Sequence, residues 1–458
     1  MAVDPQLIRD VVVVVPGILG SALCDREGRP LWDVRPGSLP SALRALASGT
    51  LTLPANVGPD SAPDGVRATH LLDSLHVVPG LWSPVTGYDT LMSFLRGPRF
   101  QLIEPHPSEP DRIPNLLTFP YDWRLSCRHN GKRLAEMALP ALARWREQPG
   151  FGDAKLVLVC HSMGGLVARW FAVCEGGAEV IRAVVTLGTP HRGAVRALGA
   201  LVNGLEPGLG PLRLSLTMLA RSLPSLHELL PQYPCLVGAG GRRLRIDAAS
   251  CPGVDAALWR NACDFHERIA APRAEAFCMH KVAGIRQPTL TTASWDDDEL
   301  VLSECIDGHN DGGDGTVPRL AAEPAPGNAP DVVTVAEQHG ELQGRRAIWD
   351  LLDGLLTREQ VVWQGGVTPA GQIGIRMADL WTTAQSPTLQ VEPMPEAMLL
   401  VEVLDEAGRV VRPGKILPPS GRVVLAPLPE GAWRVRIRGK LDTPSPVHKP
   451  LLVMEAAA

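Results

Sequence analysis

The stretch "VLVCHSMGGLVARWF" holds the residues best suited to chemistry. A β-branched run ends, Ser162 follows, and Gly164 and Gly165 open a helical pattern. A strand-to-helix bend of this kind lifts a serine hydroxyl clear of the backbone, provided that small residues stand two before and two after it. Here those positions are Cys160 and Gly164, so C-x-S-x-G replaces the usual G-x-S-x-G. Cysteine is small enough for the bend to form. The same bend turns the Met163 N–H toward the space in front of the hydroxyl, where it can act as an oxyanion donor. Serine alone is a weak nucleophile at neutral pH, so it needs a histidine base and a carboxylate to orient that base.

Two downstream loops can supply them in the order serine, acid, histidine. "GGDGTVP" offers Asp314 and "VVTVAEQHGEL" offers His339, each beside glycines that let the backbone bend sharply. Asp307 and Asp311 flank Asp314 as rival acids. "DGHNDGGDGTVP" also has the look of a calcium loop, but its twelfth position is Pro318, where such a loop needs a bidentate glutamate. His191 in "GTPHRG" precedes every acid and reads as structural. A second oxyanion donor is expected from "VPGILGS", where Pro16 and Gly17 turn the chain and aim the Ile18 N–H at the bend. No metal or organic cofactor is implied.

These residues must be held by a scaffold. The chain has 458 residues, enough for a large domain and a smaller one. A net charge of −5 gives no electrostatic case for nucleic acid. The apolar run Val11–Val15 is too short to span a bilayer and lacks the layout of a signal peptide, so a cytoplasmic location is expected. Nine irregularly spaced cysteines with no C-x-x-C pair fit reduced, packed thiols.

Strand and helix patterns alternate. Strands are predicted at Val11–Val15, 116–121, 156–159, 183–187, 281–285 and Val332–Val335. Helices are predicted at 88–95, 131–146, Gly164–Cys174 and 345–356. This order implies an α/β fold: a mostly parallel sheet with helices on both faces. Segments 30–115 and 195–240 interrupt it and are expected to form a helical cap. The leucines of the second segment (198, 201, 212, 214, 216, 219, 223, 226, 229 and 230) would pack there or line an acyl site. Beyond residue 360 short strands alternate with turns. Trp433, Val435 and Ile437 interleave with Arg434, Arg436 and Arg438, predicting a small β-sandwich-like domain over 375–458 with the arginines on a solvated face. That domain is expected to be dispensable for chemistry, because every triad candidate precedes residue 340.

The pieces "VVVVPGILGSAL", "FPYDWRLS", "LVCHSMGGLVARWF", "VVTLGTPHRGA", "VAGIRQPTLTT", "GDGTVP" and "QHGEL" occur in one order over residues 10–356. In this the chain resembles the lecithin:cholesterol acyltransferase family, which includes lysosomal phospholipase A2 and phospholipid:diacylglycerol acyltransferases. The resemblance implies an α/β-hydrolase core over 1–360. It also implies the triad Ser162, Asp314 and His339, with Ile18 and Met163 as oxyanion donors and Asp122 and Arg124 holding a loop. The expected activity is acyl transfer from a lipid ester, such as a phospholipid, through an acyl-enzyme to an alcohol or water. Contact with a membrane surface is a further expectation. Two alternatives stand beside it: a plain lipase, phospholipase or esterase using water only, and a silent scaffold that binds a protein partner through the β domain.

Overall fold

The computed structural model describes the chain except residues 1–6, 36, 74, 80, 206–211, 271–276, 325–331, 359–372, 393–397, 440–445 and 457–458. Its centre is a six-stranded, wholly parallel sheet. We number its strands β1 (Val11–Val15), β2 (Leu116–Thr118), β3 (Leu156–His161), β4 (Ile181–Leu187), β5 (Cys278–Gly284) and β6 (Val332–Val335). Their spatial order is β6-β5-β4-β3-β1-β2.

The valine run of β1 shows why this sheet is buried on both sides. Val11, Val13 and Val15 enter one apolar cluster with the helices Cys127–Arg146 and Gly164–Cys174. Val12 and Val14 enter another with the helices Asp89–Leu95 and Arg346–Thr357. Side chains alternate along a strand, so a run with no polar residue demands cover on both faces. All five valines are at most 1% exposed. This is the parallel sheet with helices on both faces expected from the strand–helix order.

Boundaries moved where a cap outranked a glycine. The helix expected at 131 begins at Cys127, because the Ser126 hydroxyl accepts the His129 N–H at 2.9 Å. Gly131 lies within it, and a Cβ there would sit 2.6 Å from the Trp170 ring. That glycine serves close helix packing and not a turn.

The segments expected as cap contain more than helices. Ser21–Cys24, Pro30–Trp32 and Arg67–Leu71 form a small antiparallel sheet. Leu236–Val237, Arg243–Leu244 and the hairpin Thr292–Asp296/Glu299–Ser303 form another. Most of the 195–240 leucines are core: Leu198, Leu201, Leu223, Leu226, Leu229 and Leu230 are fully buried. Leu214 is 73% exposed and belongs to neither a core nor a lining.

The C-terminal strands build two sheets. Five strands run in the order Leu380–Thr382, Val447–Met454, Gly431–Gly439, Leu399–Leu404, Val410–Ile416, and three in the order Gly374–Arg376, Thr388–Glu392, Arg422–Val424. Val435 and Ile437 are fully buried in their own cluster, as the alternation predicts. The arginines between them are not left to solvent. Arg436 and Arg438 clasp Glu402 on the neighbouring strand, and Arg434 reaches Glu341 of the α/β core at 3.2 Å. Among the described residues no helix is long and apolar enough to cross a membrane.

Candidate active site

Ser162 caps the C-terminal end of β3 with φ at +52°, a left-handed conformation that side chains other than glycine rarely adopt. Three bonds hold it there. Its N–H donates to Leu187 O at 2.8 Å, and its carbonyl accepts from Thr189 Oγ1 at 2.8 Å and from the Gly165 N–H at 3.0 Å. The following glycines are required by space. A Cβ at Gly164 would lie 2.4 Å from Pro16 O, and one at Gly165 would lie 2.1 Å from Thr189 Oγ1. Cys160, two residues before, fits beneath the bend as a fully buried thiol. Burial pushes its pKa far up, so it is an inert packing residue.

Asp314 sits on the tight loop expected of it. Its Oδ1 accepts the Thr316 and Val317 N–H groups at 2.9 and 2.7 Å. Its Oδ2 accepts from His339 Nδ1–H at 2.7 Å, and its carbonyl accepts the His339 N–H at 2.7 Å. His339 follows β6 and receives the Ser162 Oγ–H at Nε2, 2.8 Å away. Asp314 fixes the proton on Nδ1, which leaves Nε2 free to accept. The structure therefore brings Ser162, His339 and Asp314 into one hydrogen-bonded line. This geometry can pass the serine proton to the imidazole and stabilise the resulting cation.

The rival residues lie elsewhere. Asp307 is exposed and pairs with Arg243 at 3.0 Å, and Asp311 is exposed. His191 is buried against Thr186 at 3.3 Å, and burial pushes its pKa well down. Among the described residues no group of three His, Cys, Asp or Glu side chains is arranged to hold a metal ion.

Arg124 is completely buried and bonds both Asp122, at 2.9 and 2.7 Å, and Asp64, at 2.7 and 3.0 Å. It pins the loop around Asp64, as expected of the "PYDWR" motif. The aromatic residues of that motif brace the turn at Pro16–Ser21. Tyr121 Oη–H donates to Pro16 O at 2.9 Å and Trp123 Nε1–H to Ser21 O at 3.2 Å. Ile18, within that turn, is 1% exposed. A Cβ on Gly17 would lie 2.9 Å from Ser162 Cβ, so the turn abuts the serine.

Two contacts were not foreseen from the sequence. His161 Nε2–H donates to His339 O at 3.0 Å, and its Nδ1 accepts from Tyr88 Oη–H at 3.0 Å. Tyr88 Oη in turn accepts the Gly17 N–H at 2.8 Å. One neutral tautomer satisfies the whole chain, and burial beside His339 holds the His161 pKa well below its ordinary value. The residue before the nucleophile thus links the turn at Gly17 to the histidine loop. Trp82 is the other. Its Nε1–H donates to His339 Nε2 at 3.1 Å, and its ring meets the imidazole edge-on at 5.9 Å. Ser162 and Trp82 are each 1% exposed, so the hydroxyl and this indole lie buried side by side against His339.

Residues 109–263, which include Ser162, match the family model of lecithin:cholesterol acyltransferase. No curated protein sequence matches the chain. Similar solved structures include that of the Tle4–Tli4 complex, at 16% identity over 79% of this chain and 99% of that one, with a TM-score of 0.49. The mature lipase BlEst2 of Bacillus licheniformis is 13% identical over 78% of this chain and 96% of that one, with a TM-score of 0.37. Phospholipase PlaB of Legionella pneumophila is 10% identical over 98% and 93%, with a TM-score of 0.31. The chain is similar to the lecithin:cholesterol acyltransferase family in the segment that carries the elbow serine and has the α/β-hydrolase fold, which supports activity of the lipid-ester hydrolase or acyltransferase type.

Proposed function

We propose that this protein is a serine-dependent lipid acyltransferase and acyl hydrolase. The observation that carries the reading is the line from Ser162 Oγ through His339 to Asp314, with both hydrogen bonds at 2.7–2.8 Å. Ser162 attacks the acyl carbonyl of a lipid ester, and its proton passes to His339 Nε2. The tetrahedral oxyanion forms against the Ile18 and Met163 N–H groups, where one donor contributes roughly 3 kcal/mol. The C–O bond to the leaving alcohol breaks as His339 returns the proton to that oxygen. The acyl-serine then meets an alcohol or a water, which His339 deprotonates in turn. In this reading the reacting side chains all belong to the hydrolase domain of residues 1–360, and 375–458 form a second, smaller β domain.

A buried, apolar setting favours transfer over hydrolysis, because it keeps water scarce around the acyl-enzyme. It also favours long acyl chains, at about 0.8 kcal/mol for each buried methylene. The test measures product partition on phospholipid vesicles. With a lipophilic alcohol added, new ester should rise with acceptor concentration while free fatty acid falls. Exclusive release of free acid, with best activity on acetyl esters, makes the protein a plain esterase.

A further inference from the structure

The loop that carries His339 is held from the C-terminal strands on both sides of the histidine. Gln287, fully buried after β5, is the hub. Its backbone exchanges hydrogen bonds with Gly313, next to Asp314, at 3.0 and 3.2 Å. Its side-chain oxygen accepts from Gln338 Nε2, next to His339, at 2.6 Å. The same amide pairs with the first C-terminal strand as a strand would. Oε1 accepts the Ile375 N–H at 3.1 Å and Nε2–H donates to Ile373 O at 3.1 Å. A Cβ on Gly374, between those two residues, would lie 2.3 Å from Arg286 O, so the strand lies directly against the core at this point.

The other flank is held independently. Glu337, 1% exposed on its side chain, accepts the His448 N–H at 3.2 Å and pairs with Arg345. Arg345 Nη2–H donates to His448 Nδ1 at 2.6 Å. Glu341 pairs with Arg434 at 3.2 Å. Residues 337, 338 and 341 are therefore all tied, directly or through Gln287, to strands beyond residue 373. Leaving any of these buried groups unpartnered is costly, which holds the loop in one position.

We propose that the C-terminal β strands are part of the catalytic apparatus, with Gln287 and Arg434 as positioning residues that set the acid and histidine loops against Ser162. This rests on the serine mechanism above. It also replaces the expectation that those strands are dispensable, since a chain ending near residue 360 would lack every one of these partners.

The test uses the full-length chain and a short soluble ester. Gln287→Met keeps the length and removes all three side-chain bonds. Arg434→Met removes the tie to Glu341, and Arg434→Lys keeps its charge. A displacement of about 1 Å in a catalytic group costs roughly 10²-fold in rate. We expect Gln287→Met to lower kcat by 10- to 100-fold at unchanged KM, and Arg434→Met by about 10-fold, with Arg434→Lys recovering most of it. Thermal melts and active-site titration correct for the folded fraction. If Gln287→Met does not fold, the Arg434 pair decides. A kcat within twofold of wild type per folded molecule, or a loss that appears in KM alone, overturns the proposal. A wild-type protein that a fluorophosphonate does not label at Ser162 would instead overturn the underlying mechanism.

Discussion

Gly284→Ala should disable the enzyme by moving one carboxylate. Gly284 ends β5 with no unusual backbone angle, so alanine is tolerated by the backbone itself. Space is the difficulty. The added Cβ would lie 2.3 Å from Asp314 Cβ and 3.0 Å from Glu337 O, whereas ordinary contacts begin at 3.4 Å. The acid loop must therefore retreat by about 1 Å, which takes Oδ2 out of hydrogen-bond range of His339 Nδ1. A misplacement of that size costs roughly 10²-fold in kcat. Complete loss of the orienting carboxylate would set the limit, near 10⁴-fold. Overpacking should also remove about 1–3 kcal/mol of stability. A control separates the two effects. Gly176 has φ of +76° and open space around its missing side chain. Gly176→Ala should cost about 1–2 kcal/mol through backbone strain alone and leave kcat untouched. Both variants are assayed on a soluble ester, with rates normalised to folded protein. If Gly284→Ala keeps kcat within threefold of wild type while its melting point falls, the placement of Asp314 does not govern the rate and the argument fails.

Two further outcomes follow from buried charges. Burial moves the Glu228 carboxyl from an ordinary 4.5 to about 8, against the opposing effect of the Cys127 N–H. A raised folded-state pKa gives stability that is complete below pH 4.5 and is lost as the pH climbs through 8. That loss is on the order of 5 kcal/mol at full ionisation. Glu228→Gln should flatten this slope, melting above wild type at pH 8–9 and close to it at acid pH; parallel curves would contradict it. Arg124→Ala should destabilise by about 3–5 kcal/mol, because it strands the buried Asp122 beside Asp64, and chemical denaturation measures this directly.

The three side chains of the hydrogen-bonded line were more legible in the sequence than the contacts that position them. Ser162, Asp314 and His339 announced themselves because each needs glycines at fixed offsets, and small residues leave a readable mark. The valine run of β1 disclosed a two-faced sheet for the same reason: its pattern admits only one kind of surroundings. Gln287 and His161 left no such mark. Their roles arise from amide and imidazole bonds across long sequence separations, and a glutamine reads alike on a surface or at a hub. Trp82 stood in a Pro- and Gly-rich stretch without periodicity, so nothing linked it to His339. The alternation of Arg434, Arg436 and Arg438 correctly fixed a strand face. It did not disclose that Glu402 and Glu341 wait on that face, since partners 34 or more residues away lie outside any local pattern.

The serine mechanism is tested most directly by covalent labelling. Purified protein is treated with a fluorophosphonate and the adduct is mapped by peptide mass spectrometry, alongside Ser162→Ala and His339→Ala. The mechanism predicts one adduct, on Ser162, with labelling abolished in the first variant and strongly slowed in the second. Turnover in Ser162→Ala should fall by about 10⁶-fold in a protein that melts like wild type. An adduct on another residue, or ester turnover in folded Ser162→Ala near the wild-type rate, would contradict it.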